Sequence, residues 1–353
     1  MSKTLVKEFK ESIVAENSVS KFVTKVNQLK ANQFLELIEL LRLENLDFLF
    51  VNLVKDLTHS IPKQTVLEHT KAKILLSEYS NLLEKVLDEH PKLICLKGLA
   101  MEELLKLTAY KRRSDVDIIV SKSGLNNLLR SKSLKAFSIL KIQNYGELTI
   151  QSERGLRIDV HYDLLSSSPF TFRYRLLRNL NNNIKTMQIG NINLLTFDLE
   201  FNLMYLILHF VISHNMTDFI LFYEISRLIV LYQEEVNIAH FITLVKKHNA
   251  VIPVSLVLLL LQRRTKTSFI VDSRIANIFL SQSEKYEKIL DKIERQVFRN
   301  EVHTNTNSWN ILSENLISYL TLYLFTIYLY ILKVLYPIRS MLLRISKSKL
   351  YQA

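Results

Sequence analysis

Three aspartates carry the most pointed chemistry in the chain. Asp115 and Asp117 stand two apart at the start of the run DVDIIV, and Asp159 lies in LRIDVHYD. Alternate residues of a strand project to one face, so Asp115 and Asp117 are expected to point together while Val116, Ile118 and Val120 are buried on the other side. With Asp159 on a second strand, three carboxylates can converge. Such a cluster is costly unless a cation neutralises it, which makes it a candidate divalent-metal site. Upstream, LKGLA supplies a Lys97-Gly98 turn, and the segment YKRRS brings Arg112 and Arg113 ahead of the first two aspartates.

These residues need strands to align them and helices to cover them. The 353 residues are 48% hydrophobic and 23% charged, enough for two domains or for one core with large extensions. With only 5 Gly and 5 Pro, tight turns are scarce, which disfavours an all-β design and favours long helices with short strands. The single cysteine, Cys95, lies in the apolar run LICL and reads as a buried strand residue rather than a nucleophile, in keeping with a reducing compartment. MSKTLVKEFKESIV alternates charge with apolar residues and builds no signal-peptide core, so a cytoplasmic location is expected. The net charge of +12 suits a nucleic acid, an anionic membrane or a polyphosphate ligand without separating them.

Along the chain, residues 12–57 show helical spacing of apolar positions, with Phe34, Leu37, Ile38 and Leu41 on one stripe. A helix over 66–88 ends before His90-Pro91. A short strand then runs into Gly98 and a helix over 99–107. Next come a strand over 115–120, a short helix over 123–130, and strand-like runs at 137–142, 148–151 and 156–162. From Phe197 onward the pattern is helical. The expected organisation is a helical region over residues 1–90, a mixed core over 91–195 and a helical domain over 196–353. Leu316 to Leu332 is uncharged and precedes Lys333, Arg339 and Arg344. A spanning helix needs about 20 apolar residues, so a core helix is preferred, with membrane-surface contact the next reading and a spanning helix the last.

The order of LKGLA, RRSDVDIIV and RIDVHYD resembles the polymerase-β-like nucleotidyltransferases. It is more closely similar to an uncharacterised bacterial nucleotidyltransferase family with a KG turn, an R-x-x-D-x-D strand and a D-x-H strand. The segment LILHFVISH is similar to that family's histidine-bearing helix, and the likeness covers about residues 92 to 230. The resemblance implies an α+β fold, with a small mixed sheet and helices flanked by helical regions. It implies Mg²⁺, or Mn²⁺, held by Asp115, Asp117 and Asp159 and bridging a nucleoside triphosphate, with Asp159 also helping to deprotonate an acceptor hydroxyl. Gly98 would let backbone approach the triphosphate, helped by the amides of the helix that follows, and Lys97 and Arg112 would clamp phosphate, with Arg113 the weaker candidate. The wider superfamily has a serine after the glycine turn where this chain has Leu99 and Ala100.

Among the remaining polar residues, His161 shares a strand face with Asp159 and Asp163 and is either a group that orients a carboxylate, binds substrate or acts as a base, or a structural one. Asp163 is read as the start of a turn. His209 and His214 are five apart, off the i, i+4 spacing that aligns two ligands on an α-helix, so a zinc site is disfavoured there and a histidine buried against the catalytic domain is preferred. The chain has no G-x-S-x-G elbow, Walker A loop, G-x-G-x-x-G fingerprint or H-E-x-x-H helix. The leading function is transfer of a nucleoside monophosphate from an NTP to a hydroxyl, on a protein or small molecule in preference to nucleic acid. The alternative is a silent member of the fold acting as a binding or membrane-peripheral protein.

Overall fold

The computed structural model describes residues 2–15, 19–54, 57–112, 116–143, 147–161, 183–214, 216–265, 267–281 and 283–299. The chain divides into two compact units. One comprises Met1–Leu76, Glu102–Ser114 and Leu199–Asn305, and the other Ser77–Met101, Asp115–Asp198 and Thr306–Ala353. In chain order the helices begin with α1 (Ser2–Val14), α2 (Val19–Asn27), α3 (Ala31–Leu43), α4 (Asp47–Leu53), α5 (Lys63–Glu89), α6 (Leu99–Leu105) and α7 (Lys122–Leu129). They continue with α8 (Leu199–Leu208), α9 (Phe219–Tyr232), α10 (Ile238–Lys247), α11 (Val251–Gln262), α12 (Ser268–Val271), α13 (Ser273–Ile275) and α14 (Ser283–Arg299).

The helical unit is built on stripes and caps. Phe34, Leu37, Ile38 and Leu41 are all buried on α3, the stripe that the i, i+3, i+4 spacing foretells. Phe9 of α1, Phe22 of α2 and Phe50 of α4 close a ring cluster with centroids 5.4 to 6.4 Å apart. Every residue of α8 is buried, and so is the run Pro253–Leu261 of α11, so these helices are covered on every side and mostly apolar, with Glu200, Asn202 and Ser255 the buried polar residues. Asp218 and Asn237 cap α9 and α10, their side chains accepting from the backbone N–H groups of Leu221 and His240.

Between α8 and α9 the chain winds as a π-helical turn, His209–Ser213. Its five-residue hydrogen-bond step appears at its end, where His214 N donates to His209 O at 3.2 Å. This overturns the α-helical spacing argument for His209 and His214. In a π turn residues five apart stack on one face, and the two Nε2 atoms lie 3.1 Å apart.

The second unit holds a seven-stranded mixed sheet. Its strands are β1 (Ile94–Cys95), β2 (Val116–Ile119), β3 (Phe137–Gln143), β4 (Glu147–Ser152), β5 (Arg157–His161), β6 (Ile184–Ile189) and β7 (Ile192–Phe197), in the order β3-β4-β5-β2-β1-β7-β6. The pairs β2–β5 and β1–β7 are parallel and the others antiparallel. This is the expected α+β architecture with helical flanks. The first five strands match the sequence reading closely. The β6–β7 hairpin goes beyond the sequence reading, although its signal is present: Gly190-Asn191 joins the mixed run IKTMQI to the more apolar INLLTF, and Gly190 takes the positive φ of 56° that a two-residue hairpin turn requires. Among the described residues no helix is long and apolar enough to cross a membrane. Leu316 to Leu332 lies outside the described residues.

Candidate functional site

The centre of the sheet brings two of the three aspartates together. On β2 the burial pattern puts Val116 and Ile118 into the core and leaves Asp117 half-buried, and on β5 Ile158 and Val160 are buried around a half-buried Asp159. The two strands run parallel with Asp117 opposite Asp159. Paired residues of adjacent strands share a face, and adjacent strands are about 4.8 Å apart, so the two carboxylates are neighbours by register alone. On the far side of β5, Thr149 of β4 stands opposite Asp159 and donates its hydroxyl to Asp159 Oδ1 at 2.5 Å.

His161 completes the face. It lies two residues beyond Asp159, opposite Ile119, and its Nε2 is 2.9 Å from Asp117 Oδ1. An ionised carboxylate only accepts, so Nε2 carries the proton and His161 is the donor. Its Nδ1 is buried with no partner among the described residues. Cys95 lies on β1, buried, with its thiol pushed up to about 12 by burial and then by the Asp117 charge. It stays protonated at neutral pH, in accord with a structural rather than nucleophilic reading.

Lys97 and Gly98 form the turn after β1, with Gly98 at φ 62°, a backbone state glycine adopts without strain. Asp115 and Arg113 lie outside the described residues, as does Asp163. Arg112 belongs to the helical unit, and its guanidinium is engaged there. Nε donates to Asp47 Oδ1 at 2.9 Å, Nη2 to Asp47 Oδ2, and Nη1 to Glu68 Oε2 at 2.5 Å, while the Phe48 ring lies 4.8 Å from Cζ. Arg42 holds the other Glu68 oxygen at 2.6 Å.

A family model described as an uncharacterised nucleotidyltransferase matches residues 36–266, more than half of the chain. The chain belongs to this family. No curated protein matches it. Among solved structures, an antigenic nucleotidyltransferase-like protein from Paracoccidioides brasiliensis is similar over 58% of this chain and 96% of its own, at 15% identity and a TM-score of 0.30, too distant a likeness to bear on the site.

The chain also contains a network that sequence reasoning missed, in the segment from Lys106 to Arg112. Lys106 and Ala109 adopt positive φ angles of 53° and 51°, uncommon for side-chain-bearing residues and sustained only where surroundings hold them. Here they are held. Ala109 N donates to Glu102 Oε2 at 3.0 Å, Tyr110 donates its hydroxyl to Glu224, Lys111 pairs with Glu224 at 3.2 Å, and Tyr232 donates to Leu104 O at 2.9 Å. Asn52 donates to His69 Nε2 at 3.1 Å, and burial lowers the His69 pKa, consistent with a neutral, accepting ring. Burial also pushes Glu102 up to about 7. Only the Arg112 to Asp115 spacing hinted at this segment in the sequence, because its partners Asp47, Glu68 and Glu224 are distant along the chain.

Proposed function

We propose that this protein is a metal-dependent nucleotidyltransferase that moves a nucleoside monophosphate from an NTP to a hydroxyl of a protein or small molecule. The observation that carries the reading is the in-register pairing of Asp117 with Asp159 on parallel strands. Two carboxylates on one face are an all-oxygen donor set, which suits Mg²⁺ or Mn²⁺. Asp115, two residues before Asp117, would join them by strand alternation. When bound, the ion supplies charge neutralisation and alignment for the triphosphate.

The chain's own residues would do the rest. His161, donating to Asp117, would orient that carboxylate, and Thr149 would do the same for Asp159. Asp159 would accept the proton of the incoming hydroxyl as its oxygen bonds to the α-phosphorus and the bond to pyrophosphate, the leaving group, breaks. Lys97 would meet phosphate charge beside the Gly98 turn, and Arg113 is a further phosphate candidate. Arg112 is assigned to anchoring its own segment, since Asp47 and Glu68 already take its donors. The protein would act in the cytoplasm as a helical region, catalytic core and helical domain, with the segment from Leu316 to Leu332 as its membrane-surface contact.

A second reading, a silent member that binds without transferring, is favoured by the partners that Asp117 and Asp159 already hold and by Leu99-Ala100 after the glycine turn. Incubation of the purified protein with NTPs labelled at the α-phosphate, Mg²⁺ or Mn²⁺, and cell lysate separates the two. Label transferred by the wild type and lost with Asp117→Asn and Asp159→Asn is the expected result. No labelled product with any NTP would support the silent reading.

A further inference from the structure

The histidine pair on the π-helical turn has a ligand preference of its own. His209 and His214 share a hydrogen bond between their Nε2 atoms at 3.1 Å, with the rings at 65° to one another and centroids 4.7 Å apart. Two nitrogens bound to one tetrahedral ion at about 2.05 Å each lie about 3.3 Å apart, so the pair needs only a small relaxation to share an ion. The other nitrogen of His214, Nδ1, stands 3.3 Å from Asp218 Oδ2. A carboxylate at Nδ1 favours the tautomer with its proton there, so that His214 Nε2 accepts from His209 Nε2, and an ion would take the place of that shared proton with His209 turned to its other tautomer.

Three features place the pair as a built arrangement. A π turn costs backbone regularity and recurs at functional positions, and here it is what brings two histidines five apart onto one face. Asp218 is fixed from behind, because its other oxygen, Oδ1, accepts from Leu221 N at the start of α9. The His214 side chain is 38% exposed, so an ion can reach it from solvent. The nearby ammonium of Lys10, which feels the Asp218 charge, is itself paired with Glu44 at 2.7 Å.

We propose that His209 and His214, oriented by Asp218, form a binding site for a first-row divalent transition ion of the Zn²⁺ class, with water or an exogenous ligand in the remaining positions. Imidazole nitrogens suit zinc, cobalt, nickel and copper, whereas Mg²⁺ takes oxygen donors, so this site and the aspartate site select different ions. The inference is independent of nucleotidyl transfer, since it concerns nitrogen ligands on another element.

The test is a Co²⁺ titration of the full, tag-free chain at neutral pH in excess Mg²⁺, read by visible d–d absorption, followed by Zn²⁺ displacement. The wild type is expected to take up Co²⁺ and to release it to Zn²⁺. His209→Gln and His214→Gln, checked for folding by circular dichroism, are expected to lose this binding. Asp218→Asn keeps a good helix cap and is expected to weaken binding by about tenfold or more. A wild type that binds no Co²⁺ under these conditions overturns the proposal whatever the variants do. Wild-type affinity in either folded histidine variant also overturns it. Should both histidine variants fail to fold, undiminished affinity in Asp218→Asn does the same.

Discussion

The carboxylate pair of the sheet and the tethered segment from Lys106 to Arg112 place charged groups by opposite means. Asp117 and Asp159 owe their adjacency to strand register, in which apolar neighbours choose the face and backbone hydrogen bonds choose the partner. Arg112 and Tyr110 are held by side chains from distant parts of the chain, Asp47, Glu68 and Glu224, and Ala109 by the nearer Glu102. Removing an aspartate from the sheet leaves the register intact, because the strand is secured by its buried face. Removing one partner of the network leaves a buried charge unmet. The sheet pair should therefore tolerate substitution in stability and fail in activity, whereas the network should fail first in stability.

The largest expected effect is on activity. Asp117→Ala and Asp159→Ala should each lower nucleotidyl transfer on the order of a thousandfold or more, while the thermal midpoint stays within a few degrees of the wild type. Equal losses in activity and midpoint would erase the contrast between the two regions.

Next comes Arg112→Ala. Asp47 is fully buried, so the substitution strands its carboxylate and should cost about 3 kcal/mol by denaturant titration. In the double variant with Asp47→Asn the loss should be smaller than the sum of the two single losses, the mark of a shared interaction.

A pH experiment addresses the same network. Glu102 is pushed up to about 7 by burial, against an ordinary 4.5. The folded state therefore binds its proton more tightly than the unfolded chain. That contribution is fully present below pH 4.5 and is lost as pH rises through 7, with a span of about 3 kcal/mol. Glu102→Gln should flatten the stability profile between these limits, measured as the difference from the wild type. A parallel pair of curves would show that Glu102 does not titrate there.

The smallest effect belongs to Thr149→Val, which removes the hydroxyl held on Asp159 Oδ1. It should cost about 1 kcal/mol of stability and lower activity far less than Asp159→Ala.

The same contrast explains what could be read from residues alone. The strands carrying Asp117 and Asp159 were legible because period-2 alternation and β-branched neighbours are local signals, and the α3 stripe because its spacing is local too. Gly190-Asn191 is an equally local signal for the hairpin it turns. Thr149 was not identifiable, since cross-strand pairing between β4 and β5 must be known before a threonine acquires a partner. Nor were Asp47, Glu68 and Glu224, whose pairing with residues 110–112 depends on tertiary packing. The pairing of His209 with His214 escaped because an α-helical period was assumed where the backbone takes a π turn.

The central claim is that Asp117 and Asp159 together hold a metal-bound nucleotide, and titration calorimetry with each NTP in the presence of Mg²⁺ tests it most directly. The wild type should bind at least one NTP only when Mg²⁺ is present, and a folded Asp117→Asn/Asp159→Asn double variant should lose that binding. Undiminished Mg²⁺-dependent binding in the double variant, or no binding by the wild type with any NTP, would contradict it.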